Sequence, residues 1–469
     1  MNRSLTLQSF TMVFSGLKFI PSLPHLELTF LNLSHNEIES LRVHTQTTLQ
    51  VLDLSHNHID TITSEAFAKY ENLRELNISH NNLHVISQDA FVLTPMLQLV
   101  DMSNNDLQSY PLSLFRSQTE LRRVHGDTLV ICCLAKLASR VLEVCTPDDL
   151  ISSCEDLIGQ HYIRVLIWMQ AIIAVIGNVY VLVTRVKDYK KKKSESSNMN
   201  VFFVGVLAVA DMMMGFYLFV IAIFDQIYSP QFHIHFSAWR NGGVCKFAGV
   251  LSLIAAEASV FTLLVITITR TLSVVKPYLN LTTSPAKFRL CLGGFWALAA
   301  ALSILPLFVT DSFFADSSLC LPTIYTNLNE NSWRYTLFLM LLNFICFVTM
   351  LVLYVALFRA ASWNRFQREG NSRTTSNNRR RLGRRVFLIV ATDFLCWVPV
   401  CTTAFIYLAQ GNKVLVDETF WYPFAAVVLM PINSAMNPVI YTVLPRFTCS
   451  HSRQNTSKPT QQSSSSAQK

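Results

Sequence analysis

Charge is scarce in this chain: only 14% of its 469 residues are Asp, Glu, Lys or Arg, while 51% are apolar. That balance excludes an ordinary soluble globular protein and favours a polytopic membrane protein. Other absences narrow the field. No nucleic-acid recognition motif accompanies the formal charge of +8, so the surplus is not read as a nucleic-acid footprint. No metal-ligand spacing, nucleophile motif, phosphate loop or inverted repeat with broken helices is found, which excludes the obvious enzyme and transporter classes. A clean secretory leader is missing too: the stretch Phe10–Ile20 is broken by Ser15, Gly16 and Lys18 and reads as the tail of another repeat, so the N-terminus is expected to be incomplete.

What is present divides the chain in two. Residues 1–160 carry 10 Lys or Arg against 18 Asp or Glu, and residues 161–469 carry 28 against 12. Cys132, Cys133, Cys145 and Cys154 crowd in front of the first long apolar run, which suits an oxidising compartment; four cysteines allow three pairings and the connectivity is not readable.

The front part repeats. The pattern L-x-x-L-x-L-x-x-N-x-L occurs at Leu28 to Ile38, Leu49 to Ile59, Leu73 to Leu83 and Leu97 to Leu107, with Asn36, Asn57, Asn81 and Asn105 spaced by 21, 24 and 24 residues. This is leucine-rich-repeat spacing, in which each copy supplies a short strand and neighbours stack to bury their leucines. Leu121 and Val124 begin a degenerate closing copy, and the cysteine cluster is expected to cap the array. The residue between the paired leucines faces the concave side, which gives Asn32, Asp53, Asn77 and Asp101; with Glu75, the acids Asp53 and Asp101 are candidates for an acidic ligand-binding stripe. The bland alternative is that Asp and Asn serve the repeat itself. Sequons mark Asn2, Asn32 and Asn77 as glycosylation candidates, and glycans on Asn32 or Asn77 would obstruct the concave face.

Seven apolar runs follow, near 162–184, 201–224, 247–275, 290–310, 335–358, 386–409 and 420–443, each near the length a helix needs to cross a bilayer. The loops after the first, third and fifth hold 19 Lys or Arg; those after the second, fourth and sixth hold only Arg240, Lys246, Arg334 and Lys413. The positive-inside rule then places the repeats outside and the Ser/Gln-rich tail inside, with Lys190–Lys193 and Arg379–Arg385 as topological anchors that also meet anionic lipid. His233 and His235, assigned to the second external loop, read as solvated loop residues. Asn178, Asp211, Ser259, Asn433 and Asn437 interrupt the apolar runs and are expected to meet in one buried polar network.

Gly177-Asn178, Leu207-Ala208-Val209-Ala210-Asp211, Trp296, Cys396-Trp397-Val398-Pro399 and Asn437-Pro438-Val439-Ile440-Tyr441 together resemble the rhodopsin-like G-protein-coupled receptors over residues 161–447. The resemblance implies a disulfide between Cys245 and Cys320, and roles in activation and G-protein coupling for Arg270, Trp397, Pro399, Asn437, Pro438 and Tyr441. Pro399 and Pro438 each remove a backbone hydrogen bond and so supply a kink. No cofactor is implied beyond a Na+ ion near Asp211. At the inner end of the third run, Thr269-Arg270-Thr271 departs from the family's acid-Arg-aromatic triplet, and raised basal signalling is expected.

Repeats, hinge and bundle in this order resemble the leucine-rich-repeat-containing receptors. Asp211-Met212-Met213-Met214-Gly215, Thr392-Asp393-Phe394-Leu395-Cys396-Trp397 and Pro431-Ile432-Asn433-Ser434-Ala435-Met436-Asn437-Pro438 are most similar to relaxin family peptide receptors. Neither the low-density-lipoprotein-receptor module nor the longer repeat array of relaxin-type receptors is found at full strength.

The expected architecture is therefore a seven-transmembrane α-helical bundle behind a short extracellular leucine-rich-repeat α/β solenoid: repeats at 1–125, a cysteine-rich hinge at 126–160, the bundle at 161–447 and a disordered cytoplasmic tail at 448–469. The expected function is a plasma-membrane receptor for a protein or peptide hormone of relaxin-like type, signalling through a heterotrimeric G protein and cyclic AMP. The alternative is a non-signalling decoy or adhesion receptor that keeps the bundle as an anchor, which Thr269 and Thr271 favour. Cys449 is a palmitoylation candidate and the Ser/Thr-rich stretch 456–467 a phosphorylation candidate.

Overall fold

The computed structural model describes residues 8–21, 27–41, 48–105, 107, 110–138, 144–145, 151–191, 195–275, 285–309, 313–315, 317–322, 331–366, 391–392, 394–402 and 424–440. Asn2, Lys192, Lys193, Arg379–Arg385, Tyr441, Cys449 and the tail at 456–467 lie outside them. The chain divides into two compact units: Met1–His161 with Phe224–Gly242 and Leu415–Phe420, and the remainder.

In the first unit each L-x-L yields a three-residue strand, because alternation puts the flanking leucines on one face and the residue between them on the other. The strands are β1 (Ser9–Thr11), β2 (Phe30–Asn32), β3 (Val51–Asp53), β5 (Glu75–Asn77), β7 (Leu99–Asp101), β8 (Arg123–His125) and β9 (Val144–Cys145), and they form one sheet in that order. Neighbours are parallel and in register, so Phe30, Val51, Glu75, Leu99 and Arg123 form one row and Asn32, Asp53, Asn77, Asp101 and His125 another. β1 is the expected remnant of an earlier repeat, and β8 is the degenerate closing copy. A second sheet of two strands, β4 (Thr61–Ile62) and β6 (Val85–Ile86), follows the motif asparagines of two repeats.

Stacking buries the motif leucines completely: Leu28, Leu49, Leu52, Leu54, Leu73, Leu76 and Leu97 are all inaccessible to solvent. Each such side chain contributes about 1.5–3 kcal/mol, and the cost of the turn is met by the asparagines. Asn57 donates through Nδ2 to the carbonyls of Leu33 and Leu54, both at 3.0 Å, and accepts the backbone N–H of Ile38 at 3.0 Å. Asn81 repeats this one copy later with Ile59, Leu54 and Ile78, so each asparagine satisfies backbone groups that the turn leaves without strand partners.

The array ends in α1 (Leu129–Ala138), whose first seven residues are buried. Also in this unit is α4 (Phe232–Arg240), which corrects the placement of His233 and His235 in a loop: both lie on this helix, His233 half-buried and His235 exposed to solvent. His233 bonds the carbonyl of Cys154 through its ring at 2.8 Å, and His235 stacks on Tyr228 with ring centroids 4.8 Å apart. A nine-residue helix was hidden because its apolar face, Phe232, Phe236 and Trp239, is too short to register as a membrane run.

The second unit is helical. Among the described residues five helices are long and apolar enough to cross a membrane, within α2 (His161–Lys191), α3 (Glu195–Tyr228), α5 (Gly243–Val275), α6 (Pro285–Ile304) with its continuation α7 (Pro306–Val309), and α8 (Asn331–Phe366). They match the first five apolar runs. Of the last two runs the described portions are the helices α9 (394–402) and α10 (424–440), the latter opening with a π turn at Ala425–Leu429. α5 is central: Ala258, Phe261, Leu263 and Val265 pack in a core with Phe203, Leu207, Phe347 and Trp397.

Candidate functional site

On the concave face, the acids expected to form one stripe occupy two rows. Asp53 and Asp101 alternate with Asn32 and Asn77 in one row, and Glu75 stands in the next, between Val51 and Leu99. Asp53 Oδ1 accepts the backbone N–H of Ser55 at 3.0 Å and its hydroxyl at 2.7 Å, and Asp101 treats Ser103 in the same way at 3.0 and 2.6 Å. Asn77 Oδ1 makes the identical pair of bonds to Ser79, and Asn32 Oδ1 accepts from Ser34 N. One oxygen at each position therefore closes a turn, and Asp and Asn do that job equally well. Glu75 is exposed, and so is Arg123, which stands two strands away in the same row, so the charge on this face is mixed in sign.

The hinge cysteines resolve in part. Cys133 pairs with Cys154, Cα atoms 5.4 Å apart, and Cys132 is disulfide-bonded as well; Cys145 lies in β9. The segment after Cys154 is held within the first unit by backbone bonds from Phe232 N to Glu155 O and from His233 N to Cys154 O, both 3.1 Å. Ile158 N donates to the fully buried carboxylate of Asp225 at 2.9 Å. Asp225 was not singled out in the sequence, although an acid at the end of an apolar run is a usable signal.

Inside the bundle the five expected polar residues are all buried, and the centre of the group is a bond between α3 and α10: Asn437 Nδ2 donates to Asp211 Oδ2 at 2.8 Å. Asn178 Nδ2 donates to Ser434 O at 3.1 Å, and Gln170 Nε2 to Val428 O at 3.0 Å, so α2 is tied to α10 twice. These helices approach closely because Gly177 has no side chain; a Cβ there would stand 2.8 Å from the ring of Pro438. The hydroxyl of Ser259 has no hydrogen-bond partner among the described residues.

The Cys245–Cys320 disulfide is present, Cα atoms 5.3 Å apart, and brings the loop after the fourth span against α5. Gly249 makes room for it, since a Cβ at that position would run into the Phe314 ring and stand 2.6 Å from the Cys320 carbonyl. Tyr217 clamps the loop from α3, its hydroxyl donating to Leu319 O at 2.9 Å. Below lies an apolar cavity lined by Met214, Leu253, Leu339, Trp397 and Met430, with Glu257 as its carboxylate. Asn343 Nδ2 donates to Glu257 Oε1 at 2.7 Å, while Oε2 is buried with no hydrogen-bond partner among the described residues. Glu257 and Asn343 were both missed in the sequence, though an ionisable residue in the middle of the third apolar run was the clearest pointer available.

At the inner end of α5 a threonine stands on either side of Arg270. Thr269 Oγ1 donates to Ile266 O at 2.8 Å, and Thr271 Oγ1 to Thr267 O at 2.9 Å and to Leu353 O of α8 at 3.4 Å; neither residue carries a carboxylate for the arginine. Trp296 Nε1 donates to Thr262 Oγ1 at 3.1 Å, and Trp397 is buried against Phe347, ring centroids 5.8 Å apart.

Comparison with known proteins adds to this geometry. Residues 177–441 match the model of the 7 transmembrane receptor (rhodopsin family), and residues 47–107 match a leucine rich repeat model. The chain is 34% identical over 335 residues to the G-protein coupled receptor GRL101 of Lymnaea stagnalis, covering 70% of this chain and 29% of that protein. It is 30% identical to the lutropin-choriogonadotropic hormone receptor of Gallus gallus over 64% of this chain and 39% of that one. With relaxin receptor 2 of Homo sapiens the identity is 27%, over 65% and 40%. The chain thus spans less than half the length of the curated relatives it matches.

Proposed function

The chain belongs to the rhodopsin family of seven-transmembrane receptors and carries leucine-rich repeats in front of the bundle, and on that premise we propose that it is a plasma-membrane receptor for a protein or peptide hormone. The repeats face the outside, the tail faces the cytoplasm, and a heterotrimeric G protein is the partner within, with cyclic AMP as the changed messenger. The observation that carries this reading is the bond from Asn437 to Asp211. A buried carboxylate–amide pair joining two helices is costly to desolvate, and a bundle used only as an anchor has no need of one.

The ligand's relatedness to relaxin rests on the similarity of the second, sixth and seventh runs, and its docking on the concave face, where Glu75 offers an exposed carboxylate and Asp53 and Asp101 keep one oxygen each beyond the turn bonds. Raised basal signalling follows from Thr269, whose hydroxyl is spent on its own helix where a carboxylate would restrain Arg270. A Na+ ion near Asp211 would be held by hard oxygen donors, the carboxylate of Asp211 among them. Anionic lipid at the basic cytoplasmic loops completes the partners.

The test is cyclic AMP in cells expressing the chain behind an added signal peptide, beside Arg270→Ala, with surface expression matched by an epitope tag. A basal change abolished by the substitution supports a coupled receptor. No difference at equal surface expression overturns basal signalling and moves weight to the decoy or adhesion reading, which Thr269 and Thr271 favour.

A further inference from the structure

The recurring Ser-His-Asn of the repeats puts histidine at a left-handed backbone position three times. His35, His56 and His80 have φ of 55°, 53° and 54°, and Phe14 and Asn104 hold the same place in the flanking repeats at 54° and 56°. The side chains form a column along one edge of the array. Ring centroids are 4.6 Å apart for Phe14 and His35, 4.1 Å for His35 and His56, and 4.1 Å for His56 and His80, the imidazole planes within 9° of each other. Asn104 Nδ2 lies 3.3 Å from His80 Nε2 and closes the far end.

Parallel rings cannot share a metal ion, because their lone pairs lie in the ring planes and run side by side where a metal needs them to converge. What the column can do is stack, and adjacent rings of such a stack repel one another once both are protonated. Imidazole is the side chain that takes up a proton between neutrality and mild acidity. We propose that His35, His56 and His80 form an acid-sensitive seam of the repeat array: neutral, they hold three consecutive repeats in register, and protonated, they push apart and loosen that part of the array.

The surroundings fit. Desolvation first, then the like neighbours His80 and His35, hold His56 below its ordinary pKa, and the carboxylate of Asp53 acts against them. Phe14 and Asn104 are uncharged. Asp127, near His80 at the other end, works in the opposite sense: burial raises its pKa against the backbone N–H groups of Asn104 and Asn105 and the charge of His80, so its carboxylate attracts a protonated His80 until acid neutralises a charge that the fold disfavours. Acid is therefore expected to loosen the histidine repeats and leave the last repeat intact.

Phe14 supplies the control, since it shows that phenylalanine takes this backbone position and stacks in the same column. Hydrogen exchange of the full chain in lipid nanodiscs would be followed at pH 7.4 and 5.5, with rates corrected for their intrinsic pH dependence. The expected result is a roughly tenfold loss of protection between residues 30 and 81 at the lower pH, and no such loss in His35→Phe/His56→Phe/His80→Phe. His80→Asn, for which Asn104 is the precedent, keeps the test available if the triple variant does not fold, and is expected to show a reduced loss. An equal loss in wild type and variant, or none in the wild type, overturns the proposal. The readout involves neither ligand nor G protein, so it stands or falls apart from receptor activity.

Discussion

Asn437 and Asp211 are 226 positions apart in the chain and 2.8 Å apart in the bundle, the amide of the seventh span donating to the carboxylate of the second. Asn437→Ala leaves Asp211 with one hydrogen bond fewer in a buried site, at a cost of about 1–3 kcal/mol. Thermal denaturation of the detergent-solubilised receptor is expected to show a lower midpoint, and the cyclic AMP response is expected to fall with it. An unchanged midpoint would mean that the bond contributes nothing to the resting structure.

The Glu257–Asn343 pair makes a sharper contrast. Asn343→Ala strips Glu257 of its amide donor, an acid that already has one oxygen without a hydrogen-bond partner among the described residues, and is expected to cost about 2–3 kcal/mol. Glu257→Gln is expected to be tolerated, because a neutral amide needs less solvation in the same place. Comparing melting midpoints of the two variants checks the order.

Aspartate in the concave row has two readings with different mutational signatures. If Asp53 only closes its turn, Asp53→Asn is neutral within about 0.5 kcal/mol, because Asn77 makes the same bonds to Ser79, and Asp53→Ala loses about 1 kcal/mol. A hormone contact would instead show as weaker ligand binding in Asp53→Asn at unchanged stability. Binding and melting measured on the same two variants separate them.

For Asp127 the sign is fixed by burial. A carboxyl whose pKa is raised in the fold is stabilised as the neutral acid, so its contribution is present at acid pH and lost as pH rises through the folded value. Asp127→Asn, which keeps an oxygen for the backbone N–H of Asn105, is expected to raise the melting midpoint of the repeats at neutral pH. The gain is expected to vanish below the ordinary carboxylate range; a gain that does not depend on pH would point away from titration.

The loop disulfide closes 75 residues, and Cys320→Ala is expected to cost about 2–4 kcal/mol. Since Gly249 and Tyr217 also hold that loop, Gly249→Leu is expected to reproduce much of the loss with both cysteines present. Conformation-sensitive surface labelling compares the two.

Periodic features were legible in the sequence. The spacing of Asn36, Asn57, Asn81 and Asn105 placed four strands, and the length of the apolar runs placed the five long helices, because periodicity and length are set by local backbone geometry. Features that depend on contacts across the fold were not. Nothing local says that Phe30 faces Val51 and Glu75 faces Leu99, and so the mixed charge of the concave face emerges only from the register. The histidines of Ser-His-Asn were in plain view, but stacking requires a left-handed backbone angle that hydropathy does not report. Glu257 is a different case: its signal was present in the third run and was overshadowed by the better-known polar positions around it.

The repeat intervals differ, 21 residues once and 24 twice, yet the strands stay in register from β2 to β7. The length difference is absorbed away from the sheet, and β4 and β6 pair where two consecutive longer copies lie side by side. The concave face therefore counts in whole repeats while the opposite side counts in residues. For protein engineering this makes the back of the array the side where length can vary, provided that the buried Phe67, Tyr70 and Phe91 keep their packed places.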